Sequence, residues 1–224
     1  MTEALRPSEY TAALIRQARL RAGWVRGAAA LDMGLGSGVV LAALGALGAA
    51  SLTGIDIEAE AVATGGALLG ALGHGGIARL HAGDMWQPVA GRRFDLILAN
   101  LPHFPMQPAE LGGRRASWSA GGADGRRLLD PFLAGLPAHL APGGRAILMH
   151  NAFVGPERTR AALAGAGLEM RVGASLLVPI AAEKFARMTE AVRAAELGRT
   201  LHCYGPHAFG EVMVLEIGAP GSLG

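Results

Sequence analysis

The run Ala30-Leu31-Asp32-Met33-Gly34-Leu35-Gly36-Ser37-Gly38 restricts the fold more than any other stretch. Mostly apolar residues suited to a buried strand lead into three glycines at two-residue spacing. An uncharged helix-forming stretch, Val39 to Leu47, follows them. A strand that breaks into a glycine turn and opens a helix begins a β-α-β unit, whose next strand must lie parallel to the first. Glycine suits such a turn because the backbone can take positive φ and approach a ligand with no Cβ in the way. The helix start then offers unpaired N–H groups and the positive end of its dipole to a negative group.

The rest of the chain keeps this alternation. Periodicity and turn residues predict helices over Tyr10 to Arg21, Val39 to Leu47, Ala59 to Leu72, Leu128 to Leu140 and Pro156 to Ala166. Strands are expected at Ala28 to Met33, Ser51 to Ile57, Ala78 to Ala82, Phe94 to Ala99, Arg145 to His150, Glu169 to Val178 and Glu211 to Ile217. The expected fold class is α/β: a Rossmann-like, doubly wound, seven-stranded sheet whose last strand is antiparallel. With 224 residues, 51% of them hydrophobic and 17% charged, the chain suits one domain over 1–224. Within it, 1–27 is an N-terminal helical segment and 179–206 an inserted helical segment. Ile180 to Gly198 of that insertion reads as one amphipathic helix, with Phe185, Met188 and Val192 on its apolar face and Lys184, Arg187 and Glu196 more exposed. The apolar face would serve either a cap over the active site or a homodimer contact.

Several function classes fall away. A formal net charge of +2 and the absence of Lys/Arg runs give no nucleic-acid footprint. Residues 33–55 carry no charge but are rich in glycine and alanine and bracketed by Asp32 and Asp56, which fits a helix and a buried parallel strand better than a membrane span. Cys203 is the single cysteine, so no internal disulfide forms. With no secretory pattern at the start, a cytoplasmic location is expected. His74 and His81, or His202, Cys203 and His207, lack metal-ligand spacing, so no metal is expected. Ser117-Trp118-Ser119 is not a nucleophile elbow.

The candidate site residues lie at strand ends. Asp56, about twenty residues past the glycine turn, stands where a carboxylate grips a ribose diol, with Ile57 beside it. Asp84 follows strand three and would accept from an adenine amino group, while Met85 or Trp86 packs on the ring. Strand four ends in Asn100-Leu101-Pro102-His103-Phe104, where Pro102 restricts Leu101 to extended geometry.

Taken together these motifs resemble class I S-adenosylmethionine-dependent methyltransferases. Asp32, Gly34, Gly36 and Gly38 match their D/E-x-G-x-G-x-G signature, whereas the dinucleotide fingerprint wants glycine where Val39 stands. Asn100-Leu101-Pro102-His103 resembles the Asn-Pro-Pro-Tyr/Phe motif of N-methyltransferases. The resemblance implies that the Asn100 side chain and the Leu101 carbonyl accept hydrogen bonds from the target nitrogen, while His103 or Phe104 meets the planar acceptor. Arg6-Pro7-Ser8-Glu9-Tyr10-Thr11 and Gly121-Gly122-Ala123-Asp124-Gly125 are similar to segments of release-factor glutamine methyltransferases. The implied cofactor is S-adenosyl-L-methionine, and the implied partner is a methyl acceptor: a protein glutamine, a small amide or guanidine, or an RNA base. A nicotinamide-dependent reductase and a non-catalytic adenosyl-binding module are the rival classes.

Overall fold

The computed structural model describes residues 6–107 and 119–224. Residues 1–5, and with them most of the N-terminal stretch read for a secretory pattern, lie outside the described residues, as do Ser117 and Trp118. Helix α1 (Glu9–Leu20) starts at Ser8, whose N–H donates to Thr11 Oγ1 at 3.3 Å, one half of a capping box. A short helix, α2 (Ala22–Val25), leads to β1 (Ala29–Met33). There follow α3 (Val39–Ala46), β2 (Ser51–Asp56), α4 (Ala59–Ala71), β3 (Ala78–Ala82) and β4 (Phe94–Ala99). After residue 119 come α5 (Leu129–His139), β5 (Leu140–Asn151), α6 (Pro156–Gly165) and β6 (Glu169–Ile180). Two short helices, α7 (Ala182–Ala186) and α8 (Glu190–Glu196), precede β7 (Leu201–Tyr204) and β8 (His207–Gly218).

The sheet runs β3-β2-β1-β4-β5-β8-β6, with β7 paired to β8. Strands β1 to β5 are parallel, and β8 lies antiparallel between β5 and β6. Period two decides what each face buries. Leu31, Ile97, Ala99, Ala146 and Leu148 point into the core beneath α5, with Phe132 and Leu136. Their neighbours Ala30, Leu96, Leu98, Ile147 and Met149 point into the core beneath α1 and α3, with Leu14, Leu41 and Leu44. Strands buried on both faces read as continuous apolar runs, which is why they stand out in the sequence.

The insertion differs from expectation. In place of one helix over Ile180 to Gly198 there are two, because β6 runs on to Ile180 and the chain breaks between Arg187 and Thr189. The Thr189 N–H and hydroxyl both reach the Pro105 carbonyl, at 2.9 and 3.2 Å. The last strand starts at His207 rather than Glu211, and β7 makes the sheet eight-stranded rather than seven-stranded. Met188 is buried, and Phe185 and Val192 pack beside it against the chain's own core, which removes them as a free dimer face. No helix among the described residues is long and apolar enough to cross a membrane.

Candidate active site

The strand order reverses between β1 and β4, and ligands in open α/β sheets bind beyond the strand C-termini at such a switch point. A cavity of about 890 Å³ opens there. Successive strand ends line it: Gly34 and Gly36 after β1, Asp56 and Ile57 after β2, Gly83, Asp84 and Met85 after β3, Asn100 to Phe104 after β4, and Asn151 at the end of β5. That volume lies in the upper range for small-molecule sites, enough for a nucleoside cofactor and a small acceptor.

Main-chain groups shape the end nearest the glycine turn. Gly34 and Gly36 have φ of 86° and 51°, in the left-handed region. A Cβ on Gly34 would stand 3.5 Å from Leu101 Cδ2 and 3.8 Å from the Asn100 carbonyl oxygen, so the turn and the end of β4 are immediate neighbours. The Gly36 N–H donates to Asp56 Oδ2 at 2.9 Å and the Glu58 N–H to Oδ1 at 3.0 Å. Each oxygen keeps a second lone pair for a ligand hydroxyl. Burial pushes the Asp56 carboxyl up, and the backbone N–H donors pull it partly back. Ile57, 65% exposed, presents a large apolar side chain at the cavity wall, and Met85 sits beyond it in a left-handed conformation, φ 46°.

Two glycine-motif residues do not face the cavity. Gly38, expected as a cofactor contact, serves helix packing: a Cβ on it would lie 2.7 Å from the Gly65 Cα of α4. Asp32 is buried behind the turn, its carboxyl pushed well above the usual range by burial and by the charge of Asp56. Among the described residues its Oδ2 has no hydrogen-bond partner. Trp86 also lies outside the cavity. Its ring stacks on His139 at 4.3 Å and on Phe132 at 5.3 Å, and its indole N–H reaches the Pro131 carbonyl. Of the pair Met85 and Trp86, only Met85 reaches the cavity.

The other end is built from side chains. His103 Nδ1 bonds the Leu101 carbonyl, which fixes the proton on Nδ1 because a carbonyl only accepts. Nε2 is buried and, among the described residues, has no hydrogen-bond partner. Burial lowers the imidazole to about 4, so it stays neutral near pH 7. Leu101's carbonyl, expected to accept from the target nitrogen, spends one lone pair on His103 and keeps the other. Phe104 is 2% exposed and His103 4%, so neither presents an open ring face for stacking. Phe104 meets Phe153 edge-on, and its own face carries the Lys184 ammonium at 4.3 Å. Lys184, expected on the exposed side of a helix, lines the cavity instead.

Residues that sequence reasoning did not mark as functional hold this end in place. Tyr10 Oη donates to Asn151 Oδ1 at 3.0 Å, and Asn151 Nδ2 donates to the His103 carbonyl at 3.3 Å. Burial, with Glu9 beside it, raises the Tyr10 phenol to about 12, so it stays a donor. Position was the available signal: Asn151 ends β5 as Asn100 follows β4. The Gly121–Gly125 stretch is a brace. A Cβ on Gly121 would meet the His103 Cα at 2.6 Å, and one on Gly125 the His103 carbonyl oxygen at 2.7 Å. Asp124 Oδ1 accepts the Arg126 N–H at 3.0 Å. The buried Arg126 guanidinium ties Asp130 to the Val154 carbonyl and Thr159. Thr159 in turn meets His150 Nε2 at 2.9 Å.

The chain is similar to known proteins. A profile described as a methyltransferase domain matches residues 30–114. A putative protein N5-glutamine methyltransferase of Methanocaldococcus jannaschii is 31% identical over 152 residues, covering 66% of this chain and 75% of that protein. A release factor glutamine methyltransferase of Geobacter sulfurreducens is 32% identical over 145 residues, covering 62% of this chain but only 50% of that protein. The crystal structure of a ribosomal protein L11 methylase from Lactobacillus delbrueckii subsp. bulgaricus superposes with a TM-score of 0.55 at 19% identity, over 92% of this chain and 79% of the other. The cavity fits the methyl donor of such enzymes. The glycine turn leaves room for it, Asp56 keeps lone pairs for a diol, and the lining acids Asp56, Glu58 and Asp84 suit a ligand with cationic groups better than a pyrophosphate. The chain belongs to the class I S-adenosylmethionine-dependent methyltransferases.

Proposed function

We propose that the protein methylates an amide or planar amino nitrogen held at Asn100, with a glutamine side-chain amide as the leading acceptor class. One observation carries the reading. Asn100 follows β4 directly against the Gly34 turn, so a nitrogen hydrogen-bonded to its side chain lies beside whatever the glycine turn holds. The two relatives bearing glutamine methyltransferase names support the acceptor class.

Bound in the cavity, S-adenosylmethionine supplies an electrophilic methyl group on a sulfonium. The chain's own part is mostly alignment. Asn100 Oδ1 and the remaining lone pair of the Leu101 carbonyl accept from the acceptor's N–H groups and turn the nitrogen toward the glycine turn. Pro102 keeps Leu101 extended, while His103 holds the same carbonyl from its other side. Tyr10 and Asn151 fix the His103 backbone. Main-chain N–H groups of Gly36 and Glu58 orient Asp56 toward a ribose. Residues 1–224 are proposed to act as one domain, since strands from β1 to β8 share one sheet.

Incubation with isotope-labelled methyl donor and N-acetyl-L-glutamine, a glutamine-containing peptide, or their asparagine and glutamate counterparts tests the proposal. Mass spectrometry should find one added methyl on the glutamine nitrogen. Methylation of the glutamate carboxylate instead would overturn it.

A further inference from the structure

Lys184 is the only lysine in the chain; every other member of the twenty Lys and Arg side chains is arginine. It stands in α7, in the connection from β6 to β7, and shares the cavity wall with Val178, Pro179, Ile180 and Ala181. Its ammonium rests on the face of Phe104. Burial alone pulls it down to about 8, and among the described residues no carboxylate holds it up. A desolvated cation without a counter-charge is unfavourable, and an aromatic face returns only part of the lost hydration. Packing gives no reason for an amine here, because Met would fill the same space.

The surroundings narrow what would complete the site. His103 is neutral, and the Lys184 charge helps to keep it so. The cavity wall therefore offers hydrogen-bond acceptors at Asn100, Leu101 and His103 and two cations, the Lys184 ammonium and the Arg127 guanidinium, of which Arg127 already donates to the Ala120 carbonyl at 3.2 Å. The acids Asp56, Glu58 and Asp84 follow β2 and β3 at the other end of the cavity, and Glu9 begins α1. We propose that Lys184 reads an anion: the methyl acceptor carries a carboxylate or phosphate that docks on the Lys184 ammonium above Phe104, while its nitrogen docks at Asn100. With residues 178–181 and Lys184 walling the acceptor end, this acceptor is a small anionic molecule rather than a neutral protein segment. The inference rests on the acceptor site proposed at Asn100.

Its being the only lysine makes the residue observable. Protein grown with 13Cε,15Nζ-lysine gives one side-chain ammonium signal, whose titration midpoint is read by NMR. The midpoint is measured alone, with 5′-methylthioadenosine, with S-adenosylhomocysteine, and with S-adenosylhomocysteine plus N-acetyl-L-glutamine, neutral N-acetyl-L-glutaminamide or inorganic phosphate. An anion on Lys184 raises the midpoint by about one unit or more. N-acetyl-L-glutamine or phosphate should raise it and the glutaminamide should not. The anion that acts tells carboxylate from phosphate. A full shift with S-adenosylhomocysteine alone, absent with methylthioadenosine and unchanged by further additions, would assign Lys184 to the cofactor carboxylate and overturn the proposal. Failure of every anion to move the signal would overturn it too.

Transfer assays separate this from the parent reading. Wild type should prefer N-acetyl-L-glutamine over its neutral amide about tenfold or more. Lys184→Arg should keep most of that preference, and Lys184→Met should erase it with cofactor affinity unchanged. Equal transfer to both acceptors would sink the anion site and spare the amide reading. Binding of the anion without transfer to nitrogen would do the reverse.

Discussion

The two ends of the cavity are made of different material. At the cofactor end, φ angles and backbone N–H groups of Gly34, Gly36 and Glu58 set the shape, with Asp56 held between two of those donors. At the end proposed for the acceptor, much of the polar lining comes from side chains of separated stretches, among them Tyr10, Asn100 and His103, Asn151, and Lys184. Main-chain geometry is written in consecutive residues, and a change there disturbs the fold. Side chains gathered from afar can be exchanged one at a time with the fold intact, so the end proposed for the acceptor is where selectivity can vary.

Substitutions can break or sharpen that contrast. Gly38→Ala should have the largest effect, a stability loss of about 2–5 kcal/mol by urea unfolding. The left-handed conformation and the 2.7 Å approach to the Gly65 backbone both oppose a Cβ. Unchanged stability would show that the contact between α3 and α4 relaxes freely. Asn100→Ala should lower kcat about a hundredfold or more while calorimetry finds cofactor affinity nearly unaltered. Parallel loss of both would make Asn100 structural and blur the boundary between the two ends.

Asp56→Ala should weaken S-adenosylmethionine binding by about 1.5–3 kcal/mol, since it removes acceptors for a ligand diol. An unchanged dissociation constant would remove Asp56 from the ribose site. Lys184→Met should act least and in the opposite direction, stabilising the protein by on the order of 1 kcal/mol at pH 7. The folded ammonium gives up its proton near pH 8 and an unfolded lysine near 10.5. The cost of burying the charge is therefore full below about pH 8 and fades as pH rises toward 10.5. The stability gap between variant and wild type should close over that interval; a gap that widens with pH would contradict the burial of Lys184.

What could be read from the sequence follows the same division. The glycine turn, Asp56 and the Asn100 motif were visible because each is a short local signal at a strand end. The inner parallel strands β1, β2 and β4 are visible because burial on both faces makes them mostly apolar, whereas β3, at the sheet edge, has no buried residue. Lys184 was not. A helical wheel drawn across residues 180–198 assumes one phase, and the break at Arg187 to Thr189, pinned to Pro105, resets it. The extension of β6 was hidden by Pro179, a poor strand former that stands opposite Phe209. Gly38 kept to the motif spacing but answers to Gly65, a contact between helices that no local pattern announces.

One more consequence follows from the brace at the acceptor end. The chain leaves this region after Met106 and returns by Ser119, and the two limbs are stitched together there. The Phe104 N–H donates to the Ser119 carbonyl at 2.8 Å, the Gly121 N–H donates to the Phe104 carbonyl at 2.7 Å, and Met106 bridges Gly122. Whatever lies between positions 107 and 119 is therefore attached to a closed clasp. The limb that carries Asn100 and His103 is thus held at its far end by main-chain hydrogen bonds among the described residues alone.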